Sequence, residues 1–236
     1  MSQFKAVVLL PTYNEIANIQ KVVDAICQAA PIDILIIDDN SPDGTGELAD
    51  NLAERCPNVF VLHRAAKAGL GKAYVSGFHW AMARGYTHII QMYADLSHPP
   101  AVIPKLLELT NHYDMVLGSR WVDGGGTENW SKVRQLISKC GSFYARKILQ
   151  IPIRDVTGGL KCIKREVLET INLDELQSAG YVFQIEMTYL AIQAGFSVYE
   201  TPIIFTERQL GESKMSGNIV VEAILRVPML RQRRRR

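Results

Sequence analysis

The chain lacks any apolar run long enough to cross a bilayer. Its longest uninterrupted stretches are short pieces such as residues 6–10 (Ala-Val-Val-Leu-Leu), against the ~18 residues a membrane helix requires. It begins Met1-Ser2-Gln3-Phe4-Lys5 and enters a strand-like pattern at once, without the features of a secretion signal. Cysteine is scarce: Cys27, Cys56, Cys140 and Cys162 are widely spaced and form no C-x-x-C pair. That argues against a zinc site or a disulfide framework, and for reduced core thiols in a cytosolic protein. A strong charge of one sign is also missing from most of the chain. Net charge is +2, yet residues 231–236 hold five arginines; with these set aside, 21 basic side chains face 24 acidic ones. The basicity belongs to a tail rather than to a nucleic-acid-binding surface, and no nucleic acid partner is expected. What is present suits a folded domain: 47% of the 236 residues are hydrophobic and 21% charged, enough to bury a core. The reading is one domain over 1–230 and a basic tail over 231–236. Two readings of the tail stand: attraction to anionic lipid, at ~1 kcal/mol per basic residue near a charged membrane, or a solvated end.

The first half alternates two periodicities. Residues 5–10, 32–37, 58–62, 87–92 and 114–118 read as strands, largely apolar throughout. Between them, 15–29, 45–55, 70–84 and 101–110 read as helices; in 15–29 the apolar positions Ile16, Ile19, Val22, Val23 and Ile26 fall at helical spacing. Apolar strands alternating with amphipathic helices predict an α/β fold, a mainly parallel sheet covered on both faces. Ligands of such sheets bind beyond the carboxyl ends of the strands, near the switch in strand order. The second half is less regular: Gly124-Gly125-Gly126 reads as a flexible loop, 131–149 as a basic and apolar helix, 159–163 and 197–205 as strands, and 183–194 and 218–227 as helices.

Four polar clusters fall just after strands: Pro11-Thr12-Tyr13-Asn14-Glu15, the stretch 38–45 (DDNSPDGT), the stretch 93–100 (YADLSHPP) and Gly118-Ser119-Arg120. One acidic turn after a strand is commonplace, because Asp, Ser, Pro and Gly are good turn formers. Four on one edge point to a ligand. Asp38 reads as a brace for its turn and His98 as a residue that orders its loop. For Glu186, bracing and a site role stand equally.

The ordered set PTYNE 11–15, DDNSPDGT 38–45, GLGKAYVSGF 69–78, ADLSHPP 94–100, GSR 118–120, VTGGLKCIKREVL 156–168, GYVFQIEM 180–187 and FTERQLGESKMSGN 205–218 resembles the family 2 glycosyltransferases. Within them it is similar to the catalytic part of dolichyl-phosphate (polyprenyl-phosphate) mannosyltransferases. The resemblance implies a GT-A fold, Rossmann-like, with a nucleotide-sugar site lined by Pro11, Tyr13, Glu15, Ile37, Asp39, Tyr93, Ala94, Asp95, Arg120, Arg208 and Lys214. It implies GDP-mannose as donor and dolichyl or polyprenyl phosphate as acceptor, with Asp95 and Arg120 carrying catalysis. A glucosyl transfer from UDP-glucose to the same lipid class is the neighbouring alternative.

Family members place a metal on an Asp-Ala-Asp segment. Here that segment is Tyr93-Ala94-Asp95, so the first aspartate is absent. Asp95, with Ser97 as a weaker candidate, is the expected ligand for Mg²⁺ or Mn²⁺, hard ions that accept few protein groups when phosphate and water supply the rest. Tyr93 also keeps open a third reading, a protein that binds nucleotide sugars without catalysing. Arg120, Arg208 and Lys214 are the expected phosphate contacts, and 206–217 reads as a lid. Lys132, Lys161 and Lys164 read as solvated. A lipid phosphate is already an anionic nucleophile, which fits a sequence with no obvious His-Asp pair beside the metal segment. Helix 131–149, the segment 218–230 and the tail suggest a peripheral place on the cytoplasmic face of a membrane. Docking to a small membrane-anchoring subunit is the other route, and for 131–149 simple packing on the domain stays open.

Overall fold

The computed structural model describes residues 4–176, 180–207 and 225–232. Seven strands form the main sheet: β1 (Ala6–Thr12), β2 (Asp33–Asp38), β3 (Val59–His63), β4 (His88–Gln91), β5 (Met115–Ser119), β7 (Lys161–Lys164) and β8 (Val198–Pro202). Their spatial order is β3-β2-β1-β4-β7-β5-β8. All run parallel except β7, which is inserted antiparallel between β4 and β5. A second, two-stranded parallel sheet joins β6 (Gly126–Glu128) to β9 (Ile204–Thr206).

Side chains alternate across the main sheet as a pleat requires. Val8, Leu10, Ile34, Ile36, Ile90, Val116 and Cys162 share one core with the buried faces of α1 (Ile19–Ala29), α2 (Thr45–Arg55) and α4 (Ile103–Leu109). Leu9, Leu35, Ile37, Ile89, Leu117 and Ile163 share the other with α3 (Leu70–Ala83), α5 (Lys132–Leu149), α6 (Arg165–Thr170) and α7 (Gly180–Gln193). Both faces of the sheet are therefore dry, the reason its strands read as continuous apolar runs. On α3 the backbone comes close to the sheet at Gly77, where a Cβ would stand 2.6 Å from Ile37 and 2.9 Å from Leu9. Residues 225–232 are helical and send Val227 and Leu230 into the second core.

Several expectations need correction. Helix α1 begins at Ile19 rather than 15, and Ile16 is exposed, because residues 13–16 are engaged by the neighbouring turn described below. Gly126 opens a strand instead of closing a flexible loop. The run 197–205 is broken at Ile203: β8 pairs with β5, whereas β9 leaves to pair with β6. Of the four cysteines only Cys162 is buried; Cys27 and Cys140 are exposed. The expected helix 218–227 lies mostly outside the described residues.

Candidate functional site

The chain builds β1, β2 and β3 outward in one direction, then returns to place β4 on the other side of β1. The order therefore switches between β1 and β4, where the connections diverge and leave a crevice. The loops after β1, β2 and β4 meet at this edge. Because β7 is antiparallel, the turn that precedes it reaches the same edge.

The loops after β1 and β2 are stitched together by side chains. Thr45 Oγ1 accepts from the Glu15 N–H at 2.9 Å, Ser41 Oγ from Asn14 N at 3.1 Å, and Asp43 Oδ2 from Ile16 N at 3.2 Å. Asp38 braces the turn, accepting from Thr12 Oγ1, Ser41 Oγ and Ser41 N. Asp39 is buried and paired with Arg64 at 2.5 Å. Burial pushes its carboxyl above the ordinary aspartate value, although Arg64 and the Ala68 N–H work the other way. Glu15 is buried and accepts from Asn18 Nδ2 at 2.9 Å. The Tyr13 ring is half-exposed and lies under Lys67, whose Nζ is 4.0 Å from the ring centre. Pro11, at the end of β1, pairs in register with Ile37. Ile37 itself is fully buried beneath Gly77 and supports this edge from the core.

The loop after β4 carries the acidic centre. Asp95 and Ala94 are buried; Asp95 Oδ1 accepts from Ser97 N at 3.1 Å and from Ser97 Oγ at 2.5 Å. Leu96 takes a left-handed backbone (φ 59°) that lets the loop fold back on Asp95. His98 orders it, as expected: its Nδ1 accepts from the Tyr93 N–H at 3.1 Å, and its ring stacks on Tyr93 with centres 4.4 Å apart. Complete burial pushes His98 down to about 3, so it is neutral, with its proton on Nε2. Tyr93 occupies the space over Gly159, where a Cβ would meet its ring and hydroxyl at 2.3 Å. A tyrosine here thus requires glycine there.

Arg120, after β5, is buried in a pair that the sequence did not reveal. Its Nε and Nη2 donate to Asp155 Oδ2 and Oδ1, both at 2.7 Å; its own N–H reaches Asp155 Oδ2 at 2.9 Å and Nη2 reaches Thr157 Oγ1 at 2.9 Å. Glu200 on β8 fixes the turn in turn, accepting from Arg154 N, Asp155 N and Ser119 Oγ within 2.8 Å. Trp121, Trp130 and Phe205 surround the guanidinium at 5.3–5.5 Å. An aromatic wall thus runs from Tyr93 through His98, Phe205 and Trp130 to Arg134, which sits 4.0 Å over the Trp130 ring and pairs with Glu207.

The structure therefore brings Pro11, Tyr13, Glu15, Asp39, Tyr93, Ala94, Asp95, Ser97 and Arg120 to one sheet edge. Arg208 and Lys214, with most of the expected lid, lie outside the described residues. Lys161 corrects an expectation: it is fully buried, not solvated. Asp155, Thr157, Glu200, Arg64, Lys67 and Trp130 were missed. Asp155 stands one residue ahead of a quoted motif, and only its pairing partner, distant in sequence, marks it. No group of three or more His, Cys, Asp or Glu among the described residues is arranged to hold a metal ion. The donors on the Asp95 loop are hard oxygens, a carboxylate and a hydroxyl, which suit Mg²⁺ or Mn²⁺ when a ligand's phosphate oxygens complete the shell.

The profile of glycosyl transferase family 2 matches residues 7–171. The chain belongs to this family. It is 47% identical over 226 residues to the polyprenol monophosphomannose synthase of Mycolicibacterium smegmatis, covering 94% of this chain and 85% of that protein. It is 45% identical over 224 residues to the undecaprenyl-phosphate mannosyltransferase of Micrococcus luteus, covering 94% and 92%. Among solved structures, glucosyl-3-phosphoglycerate synthase of Mycobacterium tuberculosis with Mn²⁺, UDP-glucose and phosphoglyceric acid superposes with a TM-score of 0.68 at 16% identity, over 97% of this chain and 81% of that one. A Pyrobaculum calidifontis mannosyltransferase with GDP-Man and Mn²⁺ gives 0.63 at 15%, over 98% and 73%. These likenesses establish the GT-A fold that the family 2 motifs implied.

Asp155→Asn leaves the Arg120 guanidinium buried without its counter-charge. Breaking a buried pair in this way is expected to lower stability by about 3–5 kcal/mol, read as a fall in the urea midpoint at an unchanged slope.

Proposed function

We propose that this protein transfers mannose from GDP-mannose to a polyprenyl or dolichyl phosphate, inverting the anomeric centre to give a β-linked lipid-phosphate mannose. The observation that carries the proposal is the 45–47% identity, over nearly the whole chain, to two proteins named for making polyprenyl-linked mannose. The geometry is compatible with it. The Pro11–Tyr13 end of β1 and Asp39 offer a half-open slot with buried acceptors, suited to a base and ribose. Asp95 lies on the other side of the switch point, one strand away. There the acceptor phosphate oxygen attacks the anomeric carbon as the bond to the diphosphate oxygen breaks, and GDP leaves.

This chain's residues orient and screen; none needs to be a strong base. The phosphate monoester is already anionic, and His98 is neutral with its Nδ1 occupied. Arg120, Arg208 and Lys214 are proposed to meet the diphosphate and acceptor phosphate. A divalent ion, Mg²⁺ or Mn²⁺, would be held by Asp95 with Ser97 beside it and by the diphosphate oxygens. When bound it supplies positive charge opposite the departing diphosphate. Tyr93 narrows the protein's share of that shell to one carboxylate.

No helix among the described residues is long and apolar enough to cross a membrane, and one face of the surface suits contact with a lipid layer. Helix α5 exposes Val133, Leu136, Ile137 and Phe143 beside Lys132, Lys139 and Lys147, and the adjoining 225–232 helix exposes Leu225 and Met229. Arg231 ties the two, donating to the Ile148 carbonyl at 2.9 Å. This face supports a peripheral place on the cytoplasmic side of an anionic membrane.

With Mn²⁺ and a short polyprenyl phosphate, label from GDP-mannose is expected in the lipid fraction and label from UDP-glucose is not; turnover of UDP-glucose alone overturns the mannose reading. In the same assay Tyr93→Asp is expected to lower the Mn²⁺ concentration for half-maximal rate, while thermal stability falls because the ring packing on His98 is lost. If neither form transfers sugar yet both bind GDP-mannose in calorimetry, the protein is a binding module. Leu136→Glu with Phe143→Glu should weaken co-sedimentation with anionic liposomes by about tenfold or more and leave affinity for GDP-mannose unchanged.

A further inference from the structure

Two of the recognised motifs, VTGGLK and GYVFQIEM, contribute side chains that the transfer step does not use. Both converge on Lys161. This lysine opens β7, is fully buried, and points to the α7 side of the sheet. Its ammonium donates to the Gly158 carbonyl at 3.0 Å, to the Gln184 carbonyl at 3.2 Å, and to Gln184 Oε1. Three acceptors call for three protons, so the arrangement is that of the charged amine.

The contacts are placed to matter. Gly158 lies between Thr157, which holds Arg120, and Gly159, which underlies Tyr93. Gln184 belongs to α7. We propose that Lys161 is a positioning residue of the sugar-transfer site: its ammonium ties the 155–161 turn to α7 and thereby holds Arg120 and the Tyr93 end of the Asp95 loop in place. The proposal rests on the transferase reading above, and makes that site responsive to pH near neutrality.

Burial pushes the Lys161 ammonium down to about 7, with the charge of Asp155 opposing. Four ionisable groups belong to the elements packed around it: Asp155, His98, Tyr74 and Glu186. Asp155 is committed to Arg120, His98 is neutral, the Tyr74 phenol is pushed well above its usual value by burial, and Gln184 does not titrate. Glu186, also on α7, is buried and within two residues of Gln184. Gln91, directly opposite Lys161 across β4 and β7, is fully buried, and neither end of its amide has a partner among the described residues. Its NH₂ is a donor for the lone pair that a neutral amine would expose. Deprotonation removes one of the three N–H bonds by which the amine ties the turn to α7.

Activity and stability then move in opposite directions. A buried ammonium costs stability, so in the window between about 7 and the ordinary lysine value of 10.5 the unfolded chain binds the extra proton and the folded state gains. Over the same rise, the tie between the turn and α7 weakens and transfer slows. A lysine that only filled the core would give the same gain in stability and leave kcat unmoved.

The test uses the full chain in a Trp80→Phe background, so that fluorescence reports Trp121 and Trp130 beside Arg120. Wild type, Lys161→Met and Lys161→Arg are titrated from about pH 6 to about pH 9. The wild type is expected to show a fluorescence transition near pH 7 that both variants lack. Its kcat should fall about fivefold relative to Lys161→Met across that range, the worth of one hydrogen bond, with KM for GDP-mannose little changed and thermal stability rising relative to Lys161→Met. Parallel fluorescence and rate profiles in all three proteins overturn the proposal, as does a wild-type rate and stability that fall together. Should Lys161→Arg fail to fold, Lys161→Met decides alone. If the wild type transfers no sugar but its fluorescence transition is present and absent from Lys161→Met, the transferase reading fails while the Lys161 linkage stands.

Discussion

The buried pair between Arg120 and Asp155 is the constraint on which the sheet edge depends. It joins the end of β5 to the turn before β7, two pieces of chain separated by helix α5. Coulomb attraction alone does not justify burying two charges, because desolvation consumes most of the gain. What stabilises the pair is its hydrogen bonding: the carboxylate accepts from the guanidinium and from a backbone N–H, while Thr157 and three aromatic rings lie against the arginine. Glu200 then holds the backbone on which Asp155 stands. Removing Asp155 leaves a buried unpaired charge on Arg120, and removing Glu200 leaves two backbone N–H groups and the Ser119 hydroxyl without that acceptor.

Two parts of the site are built differently. The loops after β1 and β2 are stitched by short hydroxyl and carboxylate contacts. The edge near β7 holds ionisable groups in dry surroundings: His98 is neutral, Asp155 is paired with Arg120, and burial pulls the Lys161 ammonium down to about 7. In the proposed reading, nucleotide recognition and sugar transfer draw on different physics, although one strand separates them.

The sequence made the architecture readable because apolar periodicity is local. Continuous runs such as 32–37 and the helical spacing of Ile19, Val22, Val23 and Ile26 leave little choice, and the strands landed within a residue or two. Local too were the acidic turns, since Asp, Ser and Gly after a strand announce themselves. What escaped were relations between distant residues. Asp155 is an unremarkable aspartate until Arg120 is beside it. Lys161 read as solvated because lysines usually are; nothing near it in sequence shows that Gln184 and Gly158 will surround it. The break at Ile203 was hidden for a similar reason: 197–205 is uniformly strand-like, and only the presence of two sheets decides where it divides.

The reversed direction of β7 has a consequence for how the molecule comes into being. Within the main sheet β5 has no neighbours except β7 and β8. A chain emerging from the ribosome can therefore zip β1 to β4 as soon as they appear, but residues 115–119 have no ladder to join until 161–164 have followed them out. Arg120 spends that interval without its carboxylate, and this edge of the sheet is completed only after β7 and β8 have emerged.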